Sequence, residues 1–271
     1  MARHLRRLSA WSLALAIACG AAALGAPRDT PTPDSGVTDL PLSDGDVQRV
    51  LYLSPERPVA ALVMFTGGDG VLSIQGNGAI LRDGNFLVRT RQDWVKRGFA
   101  VAIPDVPSDR SNLLGYRLRS SYGEIIRRIV AFVRSRTTAP IWLVGTSAGS
   151  PAAAAGAARL THAEIAGAVL TSSVSRPARI VSETVFGADL DRIDVPVLIV
   201  SHRGDRCGST PPSDGERIRS ALTKSPKVEI VLMDGGLPPK SNECEAFAEH
   251  GYYGVETETV DRIASWIKAQ P

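Results

Sequence analysis

The stretch WLVGTSAGS, residues 142–150, decides how this chain is read. It runs from apolar residues suited to a buried strand into Ser147, with Gly145 and Gly149 two positions to either side, and continues into the helix-favouring PAAAAGAARL of residues 151–160. A sharp strand-to-helix turn crowds the serine; residues without bulk on both flanks relieve that crowding, and the helix N-terminus faces the serine oxygen. The pattern G-x-S-x-G is short, however, and an ordinary turn with an incidental serine has the same spelling. A nucleophile also needs an acid and a base further along the chain.

Outward from this turn, seven short apolar runs alternate with longer amphipathic segments: VQRVLYL, VAALVMF, FAVAIP, PIWLVG, AGAVLTS, VPVLIV and VEIVLM. Their continuous hydrophobicity predicts strands covered on both faces. Tyr122, Ile125, Ile126, Ile129, Val130 and Val133 recur at helical spacing, as do Val260, Ile263, Ala264 and Ile267. Alternating strands and helices predict an α/β fold with a mostly parallel central sheet and helices on both faces. Ligands of such sheets gather beyond the carboxyl ends of the strands, so candidate residues are sought in the loops there.

Asp205 in SHRGDRC follows VPVLIV, and His250 in EAFAEHGYYG follows the last strand. The order Ser147, Asp205, His250 is that of a nucleophile, an acid and a base on successive strand-end loops. Asp105 and Asp234 also follow strands, but each suits a cap or turn, and Asp205 is preferred. His162, after the post-serine helix, reads as a surface residue; His202 reads either as a packing residue or as part of the pocket wall. Two backbone N–H donors are needed for a tetrahedral intermediate: Ala148 supplies one, and Gly67 or Gly68 of FTGGDG the other. A phosphate cradle is disfavoured for FTGGDG, because it lacks the lysine of a phosphate-binding loop.

With these residues in place the chain resembles the α/β-hydrolase superfamily over about residues 47–267, through GTSAG, Asp205, His250 and TGGDG. The stretches GNFLVRTR, VPSDR, LTSSV, GDRCGSTPP and EHGYYGVE are similar to a group of exported bacterial hydrolases. The resemblance implies an α/β-hydrolase fold and a serine hydrolase, whereas many relatives carry a large lid where only residues 172–194 stand here. A minimal cap is therefore expected. The long segment from Asp69 to Arg91 could lie over the pocket in its place, with Asn85, Phe86 and Arg89 facing substrate and its arginines favouring an acidic group; the alternative is a surface excursion.

The composition sets the context. The formal net charge of +3 is supplied by Arg3, Arg6 and Arg7, leaving 28 basic against 28 acidic residues, so nothing points to nucleic acid. Those arginines precede an apolar stretch from about Leu8 to Ala18, too short to span a membrane, and small residues through Ala26, the layout of a cleavable export signal over residues 1–26. Cys19 is a weaker match to a lipoprotein acylation site, because Ala16 stands where a large aliphatic residue is usual. Residues 27–44, rich in Pro, Asp, Thr, Ser and Gly, read as a flexible linker, and residues 45–271 as one catalytic domain of a periplasmic or secreted protein.

Removing the leader leaves Cys207 and Cys244, for which an oxidising compartment makes a disulfide the simplest expectation. Such a bond would tie the acid loop to the base loop and stabilise the fold by about 4 kcal/mol on chain-entropy grounds. A metal held by His202, Asp205, Cys207, Cys244 and His250 lacks the usual paired spacings, and neither a metal nor an organic cofactor is expected. The sequence thus points to a serine hydrolase acting on a small-molecule acyl substrate, an ester or thioester, with acyl transfer and amide cleavage behind it. A binding protein on the same scaffold that turns nothing over is the rival from another class.

Overall fold

A computed structural model describes residues 35–179 and 181–270. The strands are β1 (Gly36–Pro41), β2 (Val47–Leu53), β3 (Ala60–Phe65), β4 (Phe99–Pro104), β5 (Ile141–Thr146), β6 (Gly167–Thr171), β7 (Val197–His202) and β8 (Val228–Met233). The helices are α1 (Phe86–Arg89), α2 (Arg91–Lys96), α3 (Ser120–Arg136), α4 (Ser150–Arg159), α5 (Gly215–Ala221) and α6 (Glu256–Lys268). All eight strands form one sheet in the order β1-β2-β4-β3-β5-β6-β7-β8, antiparallel at β1-β2-β4 and parallel from β4 to β8.

The seven expected strands are present to within a residue or two at each end, and β1 is a correction. Residues 36–41 fell in the expected linker but pair in register with β2, from Gly36 opposite Tyr52 to Pro41 opposite Val47. Val37 and Leu40 pack against the core, and Arg49 of β2 holds the Asp39 carboxylate through two 2.7 Å hydrogen bonds. Its Pro- and Asp-containing sequence is tolerated because this is an edge strand, bonded on one side only. The expected leader, residues 1–26, lies outside the described residues, as does the linker up to residue 34.

Alternation along the central strands sends side chains to two separate cores. Ala61, Val63 and Phe65 of β3 and Leu143 of β5 face α3 and α4, where Ile126, Ile129 and Ala153 pack. Leu62 and Met64 of β3 and Trp142 and Val144 of β5 face the other layer, with Trp94 of α2 and Val260 and Ile263 of α6. Continuous apolar strands are thus the mark of a sheet buried on both sides. Among the described residues no helix is long and apolar enough to cross a membrane.

The chain passes from β3 outward to β4 on one side of the sheet, and then back over to β5 on the other side of β3. This reversal opens a crevice at the carboxyl ends of β3 and β5, the place where α/β sheets receive ligands. FTGGDG leaves β3 and Ser147 leaves β5 at that point.

Candidate active site

Ser147 has φ of 53°, in the left-handed region that non-glycine residues seldom occupy, at the junction of β5 and a short 3-10 turn leading into α4. The flanking glycines are required sterically. A Cβ on Gly145 would lie 2.5 Å from the Gly149 carbonyl oxygen, and one on Gly149 would lie 2.1 Å from the Phe65 oxygen. Gly67 abuts the serine itself, since a Cβ there would fall 2.8 Å from Ser147 Cβ. The turn after β5 and the loop after β3 therefore interlock through glycine backbone.

The structure brings the three expected side chains into one hydrogen-bonded chain. Ser147 Oγ lies 2.9 Å from His250 Nε2, and His250 Nδ1 lies 3.0 Å from Asp205 Oδ2. The Asp205 side chain is fully buried and that of His250 nearly so. Asp205 Oδ1 accepts the Cys207 amide at 2.9 Å, and Oδ2 accepts Thr210 Oγ1 at 2.9 Å. Thr210 Oγ1 also stands 3.1 Å from His250 Nδ1, so the imidazole N–H meets both oxygens. Cys207 and Cys244 form the expected disulfide, which joins the acid loop to the segment preceding His250.

His250 has support on its other side. Ser172 Oγ donates to the His250 carbonyl at 2.8 Å, while Tyr252 OH donates to Val200 O at 2.9 Å and accepts the Ser172 amide at 3.0 Å. Tyr252 is fully buried at φ of 61°, and burial pushes its phenol well above the usual range, which keeps it a neutral donor. The base loop is thereby bonded to the ends of β6 and β7.

A cavity of about 400 Å³ opens over Ser147 and His250. One wall is the loop after β3 with the following segment, contributing Gly67, Gly68, Asp69, Leu72, Arg82, Asn85 and Phe86; the other is residues 241–251, contributing Cys244, Glu245 and Phe247. The segment from Asp69 onward does cover the pocket, anchored by Asp105, whose carboxylate accepts the amides of Leu72 at 2.9 Å and Ile74 at 2.7 Å. Asn85 caps α1 by accepting the Leu87 amide, and the Phe86 ring lies 4.8 Å from that of Tyr252.

Two expected pocket residues are elsewhere. Arg89 is not in the wall: its guanidinium binds Glu256 at 2.9 Å and the carbonyls of Gly84 and Gly251, because α1 turns it toward the start of α6. His202 also lies outside the wall, buried at the end of β7, where Nε2 bonds the Gly235 carbonyl and Nδ1 accepts the Gly204 amide, each at 3.0 Å. Both ring nitrogens are thus engaged in holding neighbouring loops. Arg82 is the cation at the cavity, bonded to Asp69 at 2.9 Å. His162 is exposed beside Asp194, as a surface residue should be.

Thr210, Ser172, Tyr252 and Asp105 were not singled out as site supports by the sequence. The only signal was position: Thr210 is five residues beyond the acid and Tyr252 two beyond the base.

No protein-family model matches the chain, and no curated protein does. Solved structures match over most of its length. A cold-adapted esterase from an Arctic intertidal metagenomic library is 16% identical with a TM-score of 0.54, covering 84% of this chain and 92% of that one. A monoglyceride lipase from Saccharomyces cerevisiae is 12% identical with a TM-score of 0.59, covering 89% and 98%. A dienelactone hydrolase from Anabaena variabilis is 13% identical with a TM-score of 0.57, covering 87% and 97%. The chain has the α/β-hydrolase fold.

Proposed function

We propose that the protein is a serine hydrolase that cleaves an ester or thioester of a small molecule through an acyl-enzyme. The observation that carries this reading is the unbroken hydrogen-bonded path from Ser147 through His250 to a buried Asp205 at the floor of a cavity. Ser147 Oγ attacks the acyl carbonyl while His250 Nε2 accepts its proton, and the same nitrogen then protonates the leaving alcohol or thiol. Asp205 keeps the Nδ1–H tautomer and balances the imidazolium. Water, activated by His250, releases the acid.

The amides of Ala148 and of Gly67 or Gly68 stabilise the oxyanion, a contribution of about 10²–10³ in rate for each donor. Hydrolase neighbours of the same fold support the reaction class, and the interlock of Gly67 with Ser147 supports the placing of that second donor. Residues 1–26 serve as an export signal on this reading, with the catalytic domain beginning at β1, and the disulfide supports residence in an oxidising compartment.

The test is a fluorophosphonate probe applied to the mature protein. Labelling of the wild type, absent in a folded Ser147→Ala variant, is expected; a folded wild type that takes no label makes the protein a binder rather than an enzyme.

A further inference from the structure

Arg117 is among the largest fully buried side chains of the molecule, and the mechanism above makes no use of it. Among the described residues its hydrogen bonds all run to main-chain carbonyls: Nη2 to Gly68 O at 2.9 Å and to Thr66 O at 3.4 Å, and Nη1 to Leu113 O at 3.5 Å. The carboxylates nearest in charge are engaged elsewhere. Asp69 binds Arg82 and the Val71 amide, and Glu183 accepts the Leu118 amide. Burial lowers the guanidinium pKa, yet an arginine remains a cation inside proteins.

A buried charge without a direct counter-ion is costly, and an apolar side chain of similar volume generally gives a more stable core. Packing alone therefore does not explain an arginine here. Its location does. Gly70 passes so close that a Cβ there would meet Leu113 Cδ1 at 2.7 Å and Arg117 Nη2 at 3.2 Å, which presses the loop after β3 onto the guanidinium. The same loop forms the cavity wall at Ser147, whereas Arg117 does not line the cavity. The cation thus lies behind the loop and the reacting oxygen would lie in front of it.

We propose that Arg117 is a positioning residue for the oxyanion loop: its guanidinium clamps the carbonyls of Thr66 and Gly68, on either side of the Gly67–Gly68 peptide, and sets a positive charge behind their amides. The clamp fixes the orientation of that peptide before substrate arrives. In a dry site the charge favours the negative oxygen of the tetrahedral intermediate over the neutral carbonyl of the substrate, so it acts on the transition state in preference to binding. This inference rests on the serine hydrolase reading and goes beyond it in naming what holds and polarises the oxyanion loop.

The experiment compares Arg117→Met, which removes the charge, with Arg117→Lys, which keeps it, using an ester substrate and a trifluoromethyl ketone that forms an oxyanion on Ser147. For Arg117→Met, kcat is expected to fall about 10- to 100-fold, with KM changed less than about twofold and ketone affinity lost in parallel with kcat. Arg117→Lys is expected to recover most of both losses. Should Arg117→Met not fold, Arg117→Gln, which retains a donor for the Gly68 carbonyl without charge, takes its place. A folded neutral variant with unchanged kcat, or equal losses in the lysine and neutral variants with no selective loss of ketone binding, overturns the proposal while leaving the hydrolase reading intact. A wild type that takes no fluorophosphonate removes the hydrolase reading, and this inference with it.

Discussion

At the end of β5, Ser147 is held chiefly by the shape of the backbone, with the Ser150 hydroxyl donating to its carbonyl at 2.7 Å. Its left-handed turn is wedged between two glycines with no room for a methyl group, and a third glycine from the loop after β3 closes on it. At the end of β7 the acid loop has no such wedge, and beyond β8 Gly251, where a Cβ would fall 2.0 Å from the Ala246 oxygen, packs against its own loop and not against another strand's. Asp205 and His250 stand in long loops and are held by links to other segments: a disulfide, the Thr210 hydroxyl, and the Ser172 and Tyr252 hydroxyls. Steric exclusion on one side and side-chain tethers on the other deliver groups to the same point. The first kind of placement fails abruptly when bulk is added, whereas the second degrades step by step as links are cut.

The largest expected effect is on the wedge. Gly149→Ala puts a methyl 2.1 Å from the Phe65 oxygen, in backbone that cannot move without separating β3 from α4. Loss of about 3 kcal/mol or more, or no folded protein, is expected in thermal and urea unfolding, with no fluorophosphonate label. The matched control is Gly208→Ala in the acid loop, where the added methyl meets nothing within 4 Å; stability there should change by less than about 1 kcal/mol. Equal effects at the two glycines would erase the contrast.

Cutting the covalent tether comes next. Cys207→Ser combined with Cys244→Ser, or reduction of the native bond, should cost up to about 4 kcal/mol in unfolding experiments. Turnover should also drop in protein that remains folded, because the Cys207 amide donates to Asp205 and its loop is freed to move. Unchanged kcat in the folded, reduced protein would mean that hydrogen bonds alone align the acid. Tyr252→Phe should be milder. The Ser172 amide and the Val200 carbonyl keep their bond to each other at 2.8 Å, so the loss is that of the hydroxyl's own bonds, about 0.5–1.5 kcal/mol, and kcat falls through the His250 loop with little change in KM.

The same contrast explains what could be read from the sequence. The nucleophile turn and seven strands are local patterns, written in glycine spacing and apolar runs, so they were legible, as was the order of acid and base. β1 was not, because its composition is that of a tether and its fitness as a strand comes from pairing with β2 and from Arg49. Arg89 misled for a related reason. A cation in a pocket-covering segment suits a substrate anion, but its partner is Glu256, 167 residues away, and only the fold, which brings the end of α1 to the start of α6, reveals it. Tyr252, Asp105 and Arg117 likewise act through contacts that no short window contains, and Thr210, five residues from Asp205, also meets His250, 40 residues away.

The smallest effect is expected at Thr210, and it separates orientation from charge. Thr210→Val is nearly isosteric, so it removes one hydroxyl from a triad that keeps its disulfide and its backbone. Asp205 Oδ2 loses a donor while still accepting from His250 Nδ1, and two consequences oppose each other. The carboxylate, less well satisfied, attracts the imidazolium more strongly; the imidazole, released from the second oxygen 3.1 Å away, gains freedom to turn. Loss of alignment should win, lowering kcat a few-fold, since the hydroxyl bonds a charge at about 1.5–3 kcal/mol whereas the stronger pull is shared with the Cys207 amide. A Thr210→Val enzyme slower than wild type assigns this hydroxyl to orientation, whereas one as fast or faster would give the stronger pull of the carboxylate the larger share.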